Sequence, residues 1–261
     1  MSQPSPLAGR LAIVTGGNRG IGRGIALRLA EEGADVAVIY RRQADAADEA
    51  VKQIKDLGRT AAAYQASVDS IEEIDSAVDR IINDFGKVDI LVNNAGIASR
   101  GNLVADTSIE ELNRVLGVHV VGAFHLCARV LPSMRQQARG DIVMISSIAT
   151  IGPVSGGAPY MMAKAALEAL AVTLAVEEAP NGVRVNIVAP GLVTTDMGDR
   201  LAHARQRVAK AADLDAEYPF GRITRPEDIG DAVCFLASAN AAMVTGQRIY
   251  VHAGRIDVAT D

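Results

Sequence analysis

Cysteine is nearly absent from this chain. Cys127 and Cys234 lie far apart in sequence, each inside an apolar, helix-like stretch. That excludes a disulfide framework or a thiolate metal site and fits free buried thiols in a reducing compartment. Tryptophan is missing, and five Tyr and four Phe are the only other aromatics. The four histidines, His119, His125, His203 and His252, show no metal-like spacing. Basic runs are lacking too: 26 Lys and Arg face 31 Asp and Glu, a net charge of −5, which argues against a nucleic-acid partner. No run reaches the ~18 uninterrupted apolar residues of a membrane helix. Met1–Pro6 is polar, with no apolar signal region. The expectation is a cytoplasmic protein with no membrane partner, residues 1–7 forming a flexible tail.

What the chain does have is apolar content and glycine: 49% hydrophobic residues and 24 Gly in 261 positions. At this length one generous α/β domain spanning 1–261 is the natural reading. Short apolar runs at Leu11–Val14, Val36–Ile39, Thr60–Tyr64, Val88–Val92, Ile142–Ile145, Val183–Val188 and Gln247–Val251 read as strands. Between them lie helical stripes. Ser108-Ile-Glu-Glu111 has the form of a capping box opening a long helix toward Pro132, and Thr224-Arg-Pro-Glu227 reads as the cap of a later one. About seven strand–helix alternations predict a parallel sheet with helices on both faces. A (β/α)8 barrel has the same alternation and is the alternative. Residues 192–219 lack a sheet partner and read as a substrate lid.

Leu11–Leu29 is the most informative stretch. A strand turns through Gly16, Gly17, Gly20 and Gly22 into a helix carrying Ile21, Ile25 and Leu29. Such a turn presents backbone N–H groups and a positive helix end to a phosphate. Its spacing, Thr-Gly-x-x-x-Gly-x-Gly, departs from the generic G-x-G-x-x-G fingerprint. Further on, Tyr160 and Lys164 stand four apart at the start of an Ala-rich helix, so both side chains share one face. A phenol beside an ammonium is a candidate proton donor, although bringing its pKa from about 10 to ~7 takes roughly 4 kcal/mol. One neighbouring positive charge supplies only ~1–3 units of that.

TGGNRGIG at 15–22, NNAG at 93–96, Ser147, Tyr160-Met-Met-Ala-Lys164 and Pro190-Gly191 occur in that order along the whole chain. This set resembles the short-chain dehydrogenase/reductase family, and most nearly its 3-oxoacyl-(acyl-carrier-protein) reductase-like branch, over residues 8–254. The resemblance implies a Rossmann-type doubly wound sheet and a homotetramer built through the helices around 108–135 and 159–179. It implies an oxidoreductase that reduces a ketone, a 3-oxoacyl thioester or similar small carbonyl, to a secondary alcohol. Tyr160 is the implied acid and base. Lys164 lowers its pKa and holds the nicotinamide ribose, and Ser147 hydrogen-bonds the carbonyl oxygen. Gly16, Asn18, Arg19, Gly20, Ile21 and Gly22 would line the adenosine and pyrophosphate, with Ser67, Val68 and Asn94 near the adenosine and Pro190, Val193 and Thr195 near the nicotinamide.

Cofactor choice has a physical reading as well. Where NAD enzymes of this type place an acid after the second strand, this chain has Tyr40, Arg41 and Arg42. Guanidinium groups bind a 2′-phosphate that a carboxylate would repel, so NADP(H) is expected. Two positions depart from the family pattern. His119 stands where the family has an Asn that relays protons, and is either a relay or a core histidine. Ser67 stands where many relatives carry Asp. Arg135 and Arg139 could meet an acidic carrier protein, while Glu177 and Glu178 argue against it and for a free carbonyl. A nucleotide-binding regulator that kept the cofactor site is the alternative function.

Overall fold

The computed structural model describes residues 5–255. Seven strands form one parallel sheet: β1 (Leu11–Thr15), β2 (Asp35–Tyr40), β3 (Ala61–Gln65), β4 (Ile90–Asn93), β5 (Gly140–Ile145), β6 (Val183–Pro190) and β7 (Arg248–Val251), in the order β3-β2-β1-β4-β5-β6-β7. β3 and β7 are open edges, so the sheet is doubly wound and the closed barrel is excluded. All of β1, β5 and β6 is buried, as a strand covered on both faces must be.

Successive residues of β1 point to opposite faces and sort the core into two. Leu11 and Ile13 pack with α3 (Ile71–Phe85), α5 (Gly122–Met134) and α6 (Ala158–Glu178). Ala12 and Val14 pack with α1 (Gly20–Glu31), α2 (Ala44–Asp56) and α8 (Pro226–Ala237). α4 (Ile109–Leu116) runs into α5 through a π-helical turn at Gly117–Val121, and that wide turn carries His119. Ile109–Met134 and Ala158–Asn181 are long and apolar enough to cross a membrane by length and composition alone. In this fold Leu126, Val130, Leu167 and Leu174 bury one face of these helices on the sheet.

Several local expectations are corrected. Leu7, expected within the tail, is fully buried and its N–H donates to the Glu32 carbonyl. Residues 1–4 lie outside the described residues. The capping box at Ser108 is only half formed. The hydroxyl accepts from Glu111 N–H at 3.3 Å, but the Glu111 carboxylate turns to Arg100 N–H and to Arg114 instead of returning to Ser108. The cap of α8 is displaced by one residue. Arg225 is the capping position, Asp228 accepts its N–H at 2.7 Å, and Pro226 takes the first helical position, where its missing N–H costs nothing. Thr224 is instead buried in a bridge to Val193.

The segment after β6 folds as α7 (Asp196–Gln206) and a 3-10 stretch at Ala211–Glu217. These pack on a small cluster of their own, which includes Ala202, Leu214, Tyr218 and Ile223.

Candidate active site

The strand order reverses between β1 and β4, and in open α/β sheets ligands bind at such a switch point, beyond the carboxyl ends of the strands. One side chain bridges the two turns there. Thr15, the last residue of β1, accepts the N–H groups of Asn94 and Ala95 on its hydroxyl, each at 2.9 Å. Asn94 answers by donating its Nδ2 to the Thr15 carbonyl at 2.8 Å. Asn94 is therefore a brace of the glycine turn. A Cβ on Gly22 would come within 2.5 Å of that same Nδ2, so only glycine lets the turn and the brace coexist. Thr15 was not singled out from sequence as a site residue. Its signal was the last strand position directly before the glycine turn.

The start of α1 differs from those of α3, α4 and α7. Ser70, Ser108 and Thr195 cap α3, α4 and α7 with side-chain oxygens, and acids follow in each first turn. Arg19, which precedes α1, supplies no capping bond, and no acid stands in that first turn. Its N–H groups and positive dipole end are left for an anion, and the diphosphate of a dinucleotide fits that chemistry. Around it, Asn18 is buried and donates Nδ2 to the Arg42 carbonyl at 3.0 Å, fixing the turn after β2. Arg41 and Arg42 are exposed, with no ion pair to either among the described residues. Ile21 packs at the edge of the core. Thr195 comes against Gly20, and Arg19 reaches Asp196 at 3.4 Å, so the segment leading into α7 begins beside the glycine turn. Pro190 ends β6, and Val193 is buried three residues beyond it. Ser67 donates its hydroxyl to Asp69, placing an acid two residues beyond the position expected for it. Val68 packs against α5 at Gly122 and lines a small cavity together with Thr15 and His119.

Ser147, Tyr160 and Lys164 come together across the turn after β5 and the first turns of α6. Ser147 hydrogen-bonds Tyr160 and pulls its pKa down, while burial pushes the phenol up more strongly. Lys164 is buried, donates Nζ to the Ile145 carbonyl at 2.6 Å and lies 5.7 Å from the centre of the Tyr160 ring. Burial pulls its ammonium down to about 7, against the opposing pull of Glu168.

His119 stands edge-on to Tyr160, with ring centres 5.4 Å apart. Its Nε2 lies 3.0 Å from Ile97 N and 2.9 Å from Ile97 O, and Nδ1 is buried without a partner. Burial, reinforced by Lys164, pulls His119 down to about 3, so the imidazole is neutral throughout the physiological range. A Cβ on Gly96 would sit 2.6 Å from His119 Cε1. The glycine of Asn93-Asn94-Ala95-Gly96 thus makes room for the imidazole. With Thr15 and Asn93, His119 lines a cavity of about 10 Å³, room for a single water.

The arginines considered for a carrier protein are engaged within the chain. Arg135 makes a two-bond pair with Glu178, at 2.9 and 2.5 Å, and Arg139 holds Asp141 at 3.1 Å. Both cysteines are buried, and desolvation pushes each thiol up to about 12.

An open parallel sheet with a glycine-turn anion site beside a Ser–Tyr–Lys cluster defines a nucleotide-dependent oxidoreductase class. Comparison with known proteins agrees. A family model described as "Enoyl-(Acyl carrier protein) reductase" matches residues 16–255. The 3-oxoacyl-(acyl-carrier-protein) reductase of Staphylococcus aureus is 37% identical over 243 residues, 93% of this chain and 96% of the relative. L-Sorbose reductase from Gluconobacter frateurii, solved with NADPH and L-sorbose, superposes with a TM-score of 0.89 at 29% identity, covering 98% of this chain and 99% of that one. Carveol dehydrogenase from Mycobacterium avium, solved with NAD, gives a TM-score of 0.89 at 29% identity, with 96% and 98% covered. The chain belongs to the short-chain dehydrogenase/reductase family, in its 3-oxoacyl-(acyl-carrier-protein) reductase-like branch.

Proposed function

We propose that this protein is a cytoplasmic NADP(H)-dependent carbonyl reductase that converts a ketone to a secondary alcohol. The observation that carries the reading is the meeting of Ser147, Tyr160 and Lys164 on one face of α6 and its facing turn. The bound nicotinamide supplies the hydride. The protein's own groups manage the proton and the developing charge. Ser147 holds the carbonyl oxygen where negative charge builds. Tyr160 gives that oxygen its proton. Lys164 lowers the pKa of the phenol and holds the nicotinamide ribose, with Val193, Thr195 and Pro190 at the carboxamide end. His119 serves as a neutral imidazole beside Tyr160, able to pass a proton through its free Nδ1.

The glycine turn, with Gly16, Asn18, Arg19, Gly20, Ile21 and Gly22, takes the diphosphate. Ser67, Val68 and Asn94 bound the adenosine side. Arg41, just after β2 and without an ion pair among the described residues, supports NADP(H) over NAD. Because Arg135 and Arg139 already hold acids of this chain, a short 3-oxoacyl thioester or a free small carbonyl fits better than a docked carrier protein. Ile109, Val121 and Phe124 on α4–α5, and Met162, Val172 and Val176 on α6, are exposed apolar side chains that fit a homotetramer through these helices.

NADPH oxidation against a panel of small carbonyls, including a short 3-oxoacyl thioester, tests the reading. Tyr160→Phe is expected to lower turnover by roughly 10²–10⁴-fold. Tight NADPH binding without turnover of any carbonyl would favour a regulator instead. Arg41→Ala is expected to weaken NADPH by about 10-fold or more while leaving NADH nearly unchanged, a loss of one charge-assisted phosphate contact. Equal weakening of both would reject the NADP(H) assignment.

A further inference from the structure

Glu168 follows Lys164 by one helical turn, so Tyr160, Lys164 and Glu168 stand at i, i+4 and i+8 on one face of α6. The reductase reading gives the first two roles and leaves Glu168 without one. Yet its carboxylate is largely buried, 12% exposed, and every oxygen is engaged. Oε1 accepts from Ser146 Oγ at 2.5 Å and from Thr150 Oγ1 at 3.1 Å. Oε2 accepts from Arg248 Nη1 of β7 at 2.5 Å.

Ser146 and Thr150 bracket Ser147. The Thr150 hydroxyl also lies 3.0 Å from the Ser147 carbonyl, so its one proton bridges that oxygen and Glu168. Ser146 N–H is fixed to the Val188 carbonyl at 2.8 Å, and Ser147 Oγ accepts Ala149 N–H at 3.1 Å. Arg248, stacked 4.8 Å over the Tyr250 ring, balances the carboxylate's charge from the sheet edge. The turn bearing Ser147 is thereby tied to the helix that bears Tyr160 and Lys164, and both are tied to β7.

We propose, on the basis of the reductase reading, that Glu168 is a positioning residue: it holds the Ser146–Thr150 turn against α6 so that the Ser147 hydroxyl meets the substrate oxygen in register with Tyr160. A short O–H···carboxylate bond is charge-assisted and about twice as strong as a neutral one. Misplacement of a catalytic group by 1 Å can cost about 100-fold in rate.

The test compares Glu168→Ala, Glu168→Gln and the parent with saturating NADPH and a turned-over carbonyl. Glu168→Ala is expected to lower kcat by about 10–100-fold while the KM for NADPH stays within about twofold. Glu168→Gln, whose amide oxygen still accepts both hydroxyls while its NH2 meets the Arg248 donor and the charge assistance is lost, is expected to restore part of kcat. Amide hydrogen exchange over residues 146–152, measured without substrate, is expected to quicken in Glu168→Ala and not in Glu168→Gln. A folded Glu168→Ala with the parent's kcat and exchange rates overturns the proposal, as does a Gln variant as slow as Ala. Should Glu168→Ala fail to fold, Ser146→Ala with Thr150→Val removes the same bonds from the other side, and unchanged kcat there overturns it equally. If the parent reduces no carbonyl, the reductase reading falls by itself, and the exchange data alone decide whether Glu168 holds the turn.

Discussion

At the amino-terminal end of the sheet, Asp141 meets Arg10 Nη1 at 2.7 Å, Arg139 Nε at 3.1 Å and Arg184 Nη2 at 2.5 Å. The same guanidinium groups donate to the carbonyls of Ala237 and Ser238, where α8 ends, Arg10 and Arg139 to the first and Arg184 to the second. At the carboxyl end, Lys164 is equally buried but has one carbonyl partner, and His119 Nδ1 has none. Both ends hide charge or polarity from water, at a desolvation cost. The first end surrounds its carboxylate with opposite charges and fastens β1, β5, β6 and α8 together. Burial shifts pKa values at both ends, raising Asp141 and lowering Arg10 and Arg184 against the pull of their partners, but the second end leaves its groups short of partners, with Lys164 at about 7 and His119 at about 3. Shifted groups left short of partners at the mouth of a cleft, unlike those of a closed ion-pair network, mark sites arranged for chemistry at the expense of stability.

The contrast breaks most readily at the amino-terminal end. Asp141→Asn leaves three guanidinium groups without their central anion, and breaking such a buried network is expected to cost about 3–5 kcal/mol. Thermal unfolding should fall by roughly 10 °C, while kcat below the transition stays close to the parent's because Asp141 lies ~20 Å along β5 from Ser147. A large loss of kcat without loss of stability would show that the two ends are not independent.

At the other end the sign reverses. Lys164 titrates at about 7 in the folded protein and at about 10.4 when unfolded. Between those values the unfolded chain binds more protons, so this group's penalty fades as pH rises; below about 7 it is present in full. Lys164→Met is therefore expected to abolish turnover and to raise stability by a few kcal/mol at pH 6. The gain should shrink through pH 8 and vanish near pH 10.5, which melting curves across that range would show. A constant gain at every pH would mean that packing, not charge, is responsible.

The smallest effect sharpens the comparison at the switch point. Thr15→Val keeps the shape but removes the acceptor for two amide N–H groups, a loss of about 1–3 kcal/mol. NADPH affinity is expected to fall several-fold, with Tyr160 chemistry intact once the cofactor is saturating. Unchanged affinity would make the Thr15–Asn94 brace dispensable for the glycine turn.

Much of the frame was legible without coordinates because its signals are local. A helix stripe declares itself within ten residues, and all seven strands and the open sheet emerged where the alternation placed them. The Tyr160–Lys164 pair was legible for the same reason, through i, i+4 spacing, and Glu168 could have been found by extending that spacing one turn further. The errors lay where side chains chose between partners. Glu111 left Ser108 for arginines, Thr224 yielded the cap to Arg225, and Leu7 was drawn from the tail into the core.

By itself the sequence determined the periodicity of each element, the glycine turn that no Cβ could occupy, and the order of the motifs that mark the family. The tertiary structure decided which distant residues meet. It set Arg10, Asp141 and Arg184 in one cluster, brought Thr15 to Asn94, put His119 against Ile97 and Tyr160, and joined Glu168 to both Ser146 and Arg248. Those meetings depend on strand order and on how each helix rolls against the sheet. Both are fixed by burial of the whole apolar surface at once, a sum over contacts far apart in sequence that no short window of the chain contains.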